Sequence, residues 1–219
     1  TKLNGYFIGT CYDGQAVFDL LKSKKEGESY SIYRDSHKIF ELTKQYKHSG
    51  FPEDELSLGY AIDVYQESIN KVFREYLVNF AYLTRVMENY GFVLVTSEES
   101  KSMGLPSGSD LFSTLFAELK SEVERNPRKA HDYGDAIDLT KEEKQISFLN
   151  RYFVFRKTHN VNAEKVGKLM SQRLEEEDEE EAEPIVKEAE KEVKEAEKES
   201  KPKKHVIRRV KKTSKISLK

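Results

Sequence analysis

The sequence predicts an α/β fold, and three observations carry that prediction. Tyr6, Phe7 and Ile8 form a short run of strand formers, opened by the Asn4-Gly5 turn signal and closed by Gly9-Thr10. After a loop ending at Gly14, Val17, Phe18, Leu20 and Leu21 recur at helical spacing. Downstream, strand-like and amphipathic segments keep alternating, in the order strand–helix–hairpin–strand–helix–strand–helix–helix–strand. Ligands of such folds gather at the carboxyl ends of strands, which points to Gly9–Gly14.

Each further element has its own local signal. Tyr30–Tyr33 and Lys38–Tyr46 flank the turn residues Asp35-Ser36-His37 and read as a hairpin. Leu58–Tyr65 alternates Leu58, Tyr60, Ile62 and Val64, the pattern of a half-buried strand. Phe80, Leu83, Val86, Met87 and Tyr90 repeat as one helix face, with Gly91 at the C-cap. Phe92–Thr96 is wholly apolar and reads as a central strand of a parallel sheet. Ser109 or Asp110 is expected to cap a helix from Leu111 to Glu124, which Asn126-Pro127 stops. Residues 127–138 read as irregular, and Asp132, Asp135 and Asp138 as a flexible acidic loop. Thr140 followed by Glu143 is a capping-box pattern, and Tyr152–Phe155 is the last strand.

Composition divides the chain. It has 219 residues, 35% of them charged against roughly a quarter in average globular proteins. The aromatic residues lie almost entirely before residue 165, so a globular domain is expected over 1–165. An acidic Glu/Lys-rich linker, 166–200, and a basic tail, 201–219, follow, disordered or marginally helical. The net charge of -2 conceals this segregation. One cysteine, Cys11, excludes an internal disulfide framework and fits a reducing compartment. No apolar run approaches the ~20 residues of a membrane helix, so an intracellular protein without a membrane partner is expected. The start at Thr1 suggests a piece of something longer.

Several segments, taken in order, resemble one family. YFIGT with its following helix, the Gly-Tyr strand, EYLVNF leading into a helix, GFVLV and ISFLNRYFVFRK are similar to the C-terminal half of mRNA cap guanine-N7 methyltransferases. The closest flavour is that of large-DNA-virus capping enzymes. The resemblance covers roughly residues 3–160 and implies a Rossmann-like class I S-adenosylmethionine-dependent methyltransferase, C-terminal half only. In that family the Gly-rich cofactor loop precedes the YFIGT strand. Accordingly no GxGxxG-like loop is found, and Gly104–Gly108 carries a proline and follows no strand. The implied enzyme transfers a methyl group to N7 of the cap guanine, with S-adenosylmethionine bound mostly by an absent N-terminal half. The chain alone is then expected to be inactive.

The resemblance assigns the glutamate of EYLV, Glu75, to the Watson–Crick edge of guanine, where a carboxylate accepts from N1–H and N2–H₂. The alternative is a surface carboxylate paired with Arg74 or Lys71. Tyr12 stands where the family has a proline at the pocket rim; it either stacks on the cap or is an ordinary loop tyrosine. Asn150 replaces a guanine-packing tyrosine of the family, so either Asn150 supplies a hydrogen bond or Tyr152 supplies the ring. Cys11 lacks a neighbouring base and reads as a small buried residue. The five scattered histidines predict no metal. No catalytic dyad is expected, since N7 methylation rests on positioning and electrostatics.

Expected partners are the capped RNA 5′ end, other capping domains or subunits, and RNA phosphates at Lys201–Lys219. Host cytoplasm (a viral factory), virion and nucleus all stay open as locations. The competing expectation is a non-catalytic, methyltransferase-like module that binds RNA or protein.

Overall fold

The protein's computed structural model describes residues 1–172. The chain divides into two units, Thr1–Lys168 and Leu169–Lys219. The expected basic tail and nearly all of the expected acidic linker lie outside the described residues.

The first unit holds two four-stranded sheets, and every strand pairing among the described residues is antiparallel. One sheet is a meander of sequential neighbours: β2 (Ser29–Arg34), β3 (His37–Lys44), β4 (Ala61–Gln66) and β5 (Lys71–Tyr76). The β2–β3 turn places Asp35 and Ser36 at φ 48° and 69°, as a tight hairpin with right-twisted strands requires. Phe40, Leu42, Ile62 and Val64 line its inner face, where Val17, Phe18 and Leu21 of helix α1 (Gly14–Leu20) and the residue after it close the core. Lys44 is buried among them, and its ammonium donates to the Lys24 carbonyl at 3.0 Å, answering orphan acceptors just beyond the helix end.

The other sheet is built on β8 (Asn150–Lys157), flanked on one side by β1 (Tyr6–Tyr12). On its other side lie β6 (Phe92–Leu94) and β7 (Ser109–Leu111) in succession. Tyr152, Phe153, Val154 and Phe155 are all buried. Helix α2 (Phe80–Asn89) sets Phe80 against Phe153 and Phe155. Gly9 is needed here, because a Cβ would stand 2.5 Å from the Phe153 ring.

Several expectations change. The predicted loop after Ile8 is strand as far as Tyr12, because Gly9–Tyr12 find partners along the whole of β8. Phe92–Leu94 is not central: among the described residues it pairs with β8 alone, and β8 is the strand covered on both sides. The expected parallel sheet is antiparallel where strands touch, although β1 and β6 run parallel to each other across β8. Ser109 and Asp110 lie in β7 rather than capping a helix; α4 (Phe112–Arg125) follows α3 (Ser97–Ser102) and starts after Leu111, without a side-chain cap. Residues 127–138 are not irregular but a chain of short helical turns that includes α5 (Ala130–Tyr133). The capping box at Thr140 opens α6 (Lys141–Ser147) as expected.

Candidate functional site

The carboxyl end of β1 is held by a buried acid. Asp13, 6% exposed, caps α1 by accepting from the Ala16 amide at 2.8 Å, and accepts from Arg151 Nε at 2.7 Å with its other oxygen. The Arg151 guanidinium lies 4.6 Å from the Phe80 ring centre and donates to Ser109 Oγ. Gly14 donates its amide to the Val78 carbonyl at 3.1 Å, an approach so close that a Cβ would meet that oxygen at 2.3 Å. Asn79 caps α2 and donates to Pro52 O at 2.7 Å. The loop after β1 and the loop after β5 are therefore fastened together.

Register fixes which way β5 presents its side chains. Residues directly opposite in an antiparallel pair share a face. Glu75 is opposite Ile62, Phe73 opposite Val64 and Lys71 opposite Gln66, so these three lie on the core-side face. Arg74 points the other way, where it makes two hydrogen bonds to Asp63. Beyond the edge strand the inner face is left open: Phe73 is 46% exposed although it neighbours buried Val64.

Glu75 makes no hydrogen bond or ion pair among the described residues, so neither Arg74 nor Lys71 takes the role of its surface partner. Desolvation by its neighbours raises its carboxyl above the usual range. Tyr12 reaches the same region from β1. Its hydroxyl accepts from Gln66 Nε2 at 3.1 Å, and its ring lies 6.4 Å from that of Phe40. Burial chiefly raises its phenol, and the charge of Glu75 adds to the rise. Glu75, without a hydrogen bond or ion pair among the described residues, thus shares a face with the exposed Phe73 ring, and its charge is felt by Tyr12.

Asn150 and Tyr152 are placed differently. Asn150 pairs with Tyr12 across the strands, yet its amide donates to the carbonyls of Ile146 and Ser147 at the end of α6. Tyr152 is buried, with its hydroxyl donating to Ser107 O at 2.9 Å. Structure thus brings Tyr12 and Glu75 together, keeps Asn150 beside them as a helix-end cap, and sets Tyr152 into the packing. Phe73, which sequence reasoning passed over, belongs with the first two. Its one available signal is the i, i+2 spacing from Glu75.

Cys11 sits opposite Arg151, and burial raises its thiol, which disfavours a nucleophilic thiolate. Among the described residues no three His, Cys, Asp or Glu side chains are grouped to hold a metal. An open groove of about 730 Å³ runs between Lys101–Pro106 and α4, lined by Leu115, Glu118, Glu122 and Tyr133 among others. None of the four expected site residues lines it.

No family model matches the chain. Over 192 residues, 78% of the chain, it is 29% identical to a protein of Acanthamoeba polyphaga mimivirus named "Probable mRNA-capping enzyme". The matched stretch is 16% of that relative, so the chain spans well under a fifth of its length. This similarity supports a capping-enzyme-related family.

Proposed function

We propose that this chain supplies the cap-guanine side of an mRNA guanine-N7 methyltransferase site. The observation that carries the reading is Glu75, without a partner among the described residues, on the open inner face of β5 beside Phe73 and within electrostatic reach of Tyr12. A carboxylate so placed accepts from guanine N1–H and N2–H₂, while the aromatic rings hold the base plane. N7 lies on the opposite edge of the base and stays free to react. The chain's own residues bind and orient; guanine N7 is already nucleophilic, and no side chain need remove a proton from it.

The described residues do not by themselves fit S-adenosylmethionine. The loop Gly104–Gly108 carries Pro106, and its last glycine is packed against the protein's own backbone, where a Cβ on Gly108 would lie 2.6 Å from Val95 O. We assign the methyl donor to a part of the enzyme beyond these residues and derive no step through it. The Rossmann-like reading rests on the sequence resemblance, and it would place the missing strands along the outer edge of β1, which has no partner among the described residues. A place for the basic segment Lys201–Lys219 on RNA phosphates belongs to the same proposal, on charge alone. The second reading is a non-catalytic, methyltransferase-like module that binds RNA or protein, in keeping with Gly108 being packed against Val95 instead of lining a cofactor cradle.

Glu75→Ala in the complete enzyme is expected to abolish N7 methylation while sparing cofactor affinity. In the 219-residue chain, Glu75→Gln should erase a preference for guanosine over inosine triphosphate of roughly tenfold or more. Methylation near wild type in the alanine variant rejects the proposal. Guanine preference in a complete enzyme that never methylates selects the second reading.

A further inference from the structure

Three side chains of β5 form a row on one face, and of these Lys71 alone has been given no role. Lys71 begins the strand, Phe73 follows at i+2 and Glu75 at i+4. Successive members of such a row are about 6.6 Å apart, so carboxylate and ammonium are anchored roughly 13 Å from each other along the strand. The row carries opposite charges at its ends and a ring between them.

Lys71 is held at a fixed point. The turn before it is closed by Asn70 N donating to Gln66 O at 2.8 Å, with Asn70 at φ 53°. Its cross-strand neighbour Gln66 is the residue whose amide anchors the Tyr12 hydroxyl. Lys71 is exposed and makes no hydrogen bond or ion pair among the described residues. Other lysines of this sheet are committed: Lys38 to Glu41 and Lys44 to helix-end carbonyls.

Resting on the guanine reading of Glu75, we infer that the cap nucleotide lies along the inner face of β5, with its triphosphate bridge on Lys71. The guanine edge meets Glu75, the base plane rests on Phe73, and the phosphates continue toward the start of the strand. The polarity follows from charge: guanine offers donors to the carboxylate, and the phosphate oxygens offer acceptors to the ammonium. The nucleotide laid the other way round would set phosphate against Glu75. Lys71 therefore selects for a phosphorylated guanosine over the bare nucleoside and fixes the direction in which the RNA leaves the site.

The test is a titration of the full 219-residue chain with the dinucleotide GpppG and with guanosine, at low and moderate salt. Lys71→Ala is expected to weaken GpppG about fivefold, with a flatter salt dependence, and to leave guanosine unchanged. Lys71→Arg should restore most of the difference. Equal effects of Lys71→Ala on both ligands, or none on either, overturn the inference, provided Glu75→Gln weakens binding of both by roughly tenfold or more. Failure of the wild-type chain to bind guanosine or GpppG, or binding indifferent to Glu75→Gln, overturns the guanine reading and this inference with it.

Discussion

The Tyr46 hydroxyl is buried and finds no hydrogen-bond partner among the described residues. Its ring is what the core uses, stacked on Phe18 at 5.8 Å, tilted on Tyr60 at 5.0 Å and covered by the Lys44 ammonium at 4.7 Å. Desolvation pushes its phenol up to about 12 from 10.0. A raised folded value means stability present below pH 10 and lost as the pH climbs toward about 12. Tyr46→Phe should be neutral or stabilising by up to about 1 kcal/mol at pH 8 and should flatten that alkaline loss. Urea unfolding at several pH values reads both effects. Glu75 follows a different course. On the proposed reading its carboxylate accepts from guanine in the ionised form, so guanine affinity is expected to fall with decreasing pH, beginning at higher pH than for an ordinary glutamate.

Asp13 ties β1, α1 and β8 together, which makes the junction costly to disturb. Asp13→Ala removes a helix cap and strands the partly buried Arg151, a loss of about 3 kcal/mol in chemical denaturation. Asp13→Asn keeps the cap and should lose about half of that. How far such elements can be read from sequence varied with their local chemistry. The Asp35-Ser36 hairpin and the Thr140 capping box were legible because their signals lie within a few residues. β5 was not legible as a strand, since Lys71–Tyr76 is exposed on both faces and carries no alternation. Phe73 was overlooked for the same reason and Lys71 read only as a candidate partner of Glu75, whereas Glu75 stood out through resemblance alone. β7 was hidden by its brevity, and the Asp110 side chain turns to the neighbouring Leu111 amide instead of capping α4. Phe92–Leu94 looked central because it is apolar; it is apolar for its side-chain contacts, with Phe7 6.2 Å from Phe92, not for strands on both sides.

At the scale of the first unit, the conspicuous feature is β1. Tyr6 and Phe7 are each 43% exposed and Ile8 69%, on a strand whose outer edge has no partner among the described residues. An apolar strand with an open edge invites pairing with another chain. Ile8→Lys is expected to reduce self-association, measured by light scattering, without altering far-ultraviolet circular dichroism. Unchanged association would place the sticky surface elsewhere.

The position of β8 also orders the assembly of the molecule in time. The meander of residues 29–76 joins neighbours in sequence and can close as soon as it is synthesised. Tyr6–Tyr12 must wait for Asn150–Arg156, at the far end of the unit, before it has any strand to pair with. Glu75 belongs to the early sheet and Tyr12 to the late one. A chain still emerging from the ribosome thus holds the acid of the rim long before the tyrosine, and only a finished unit presents both.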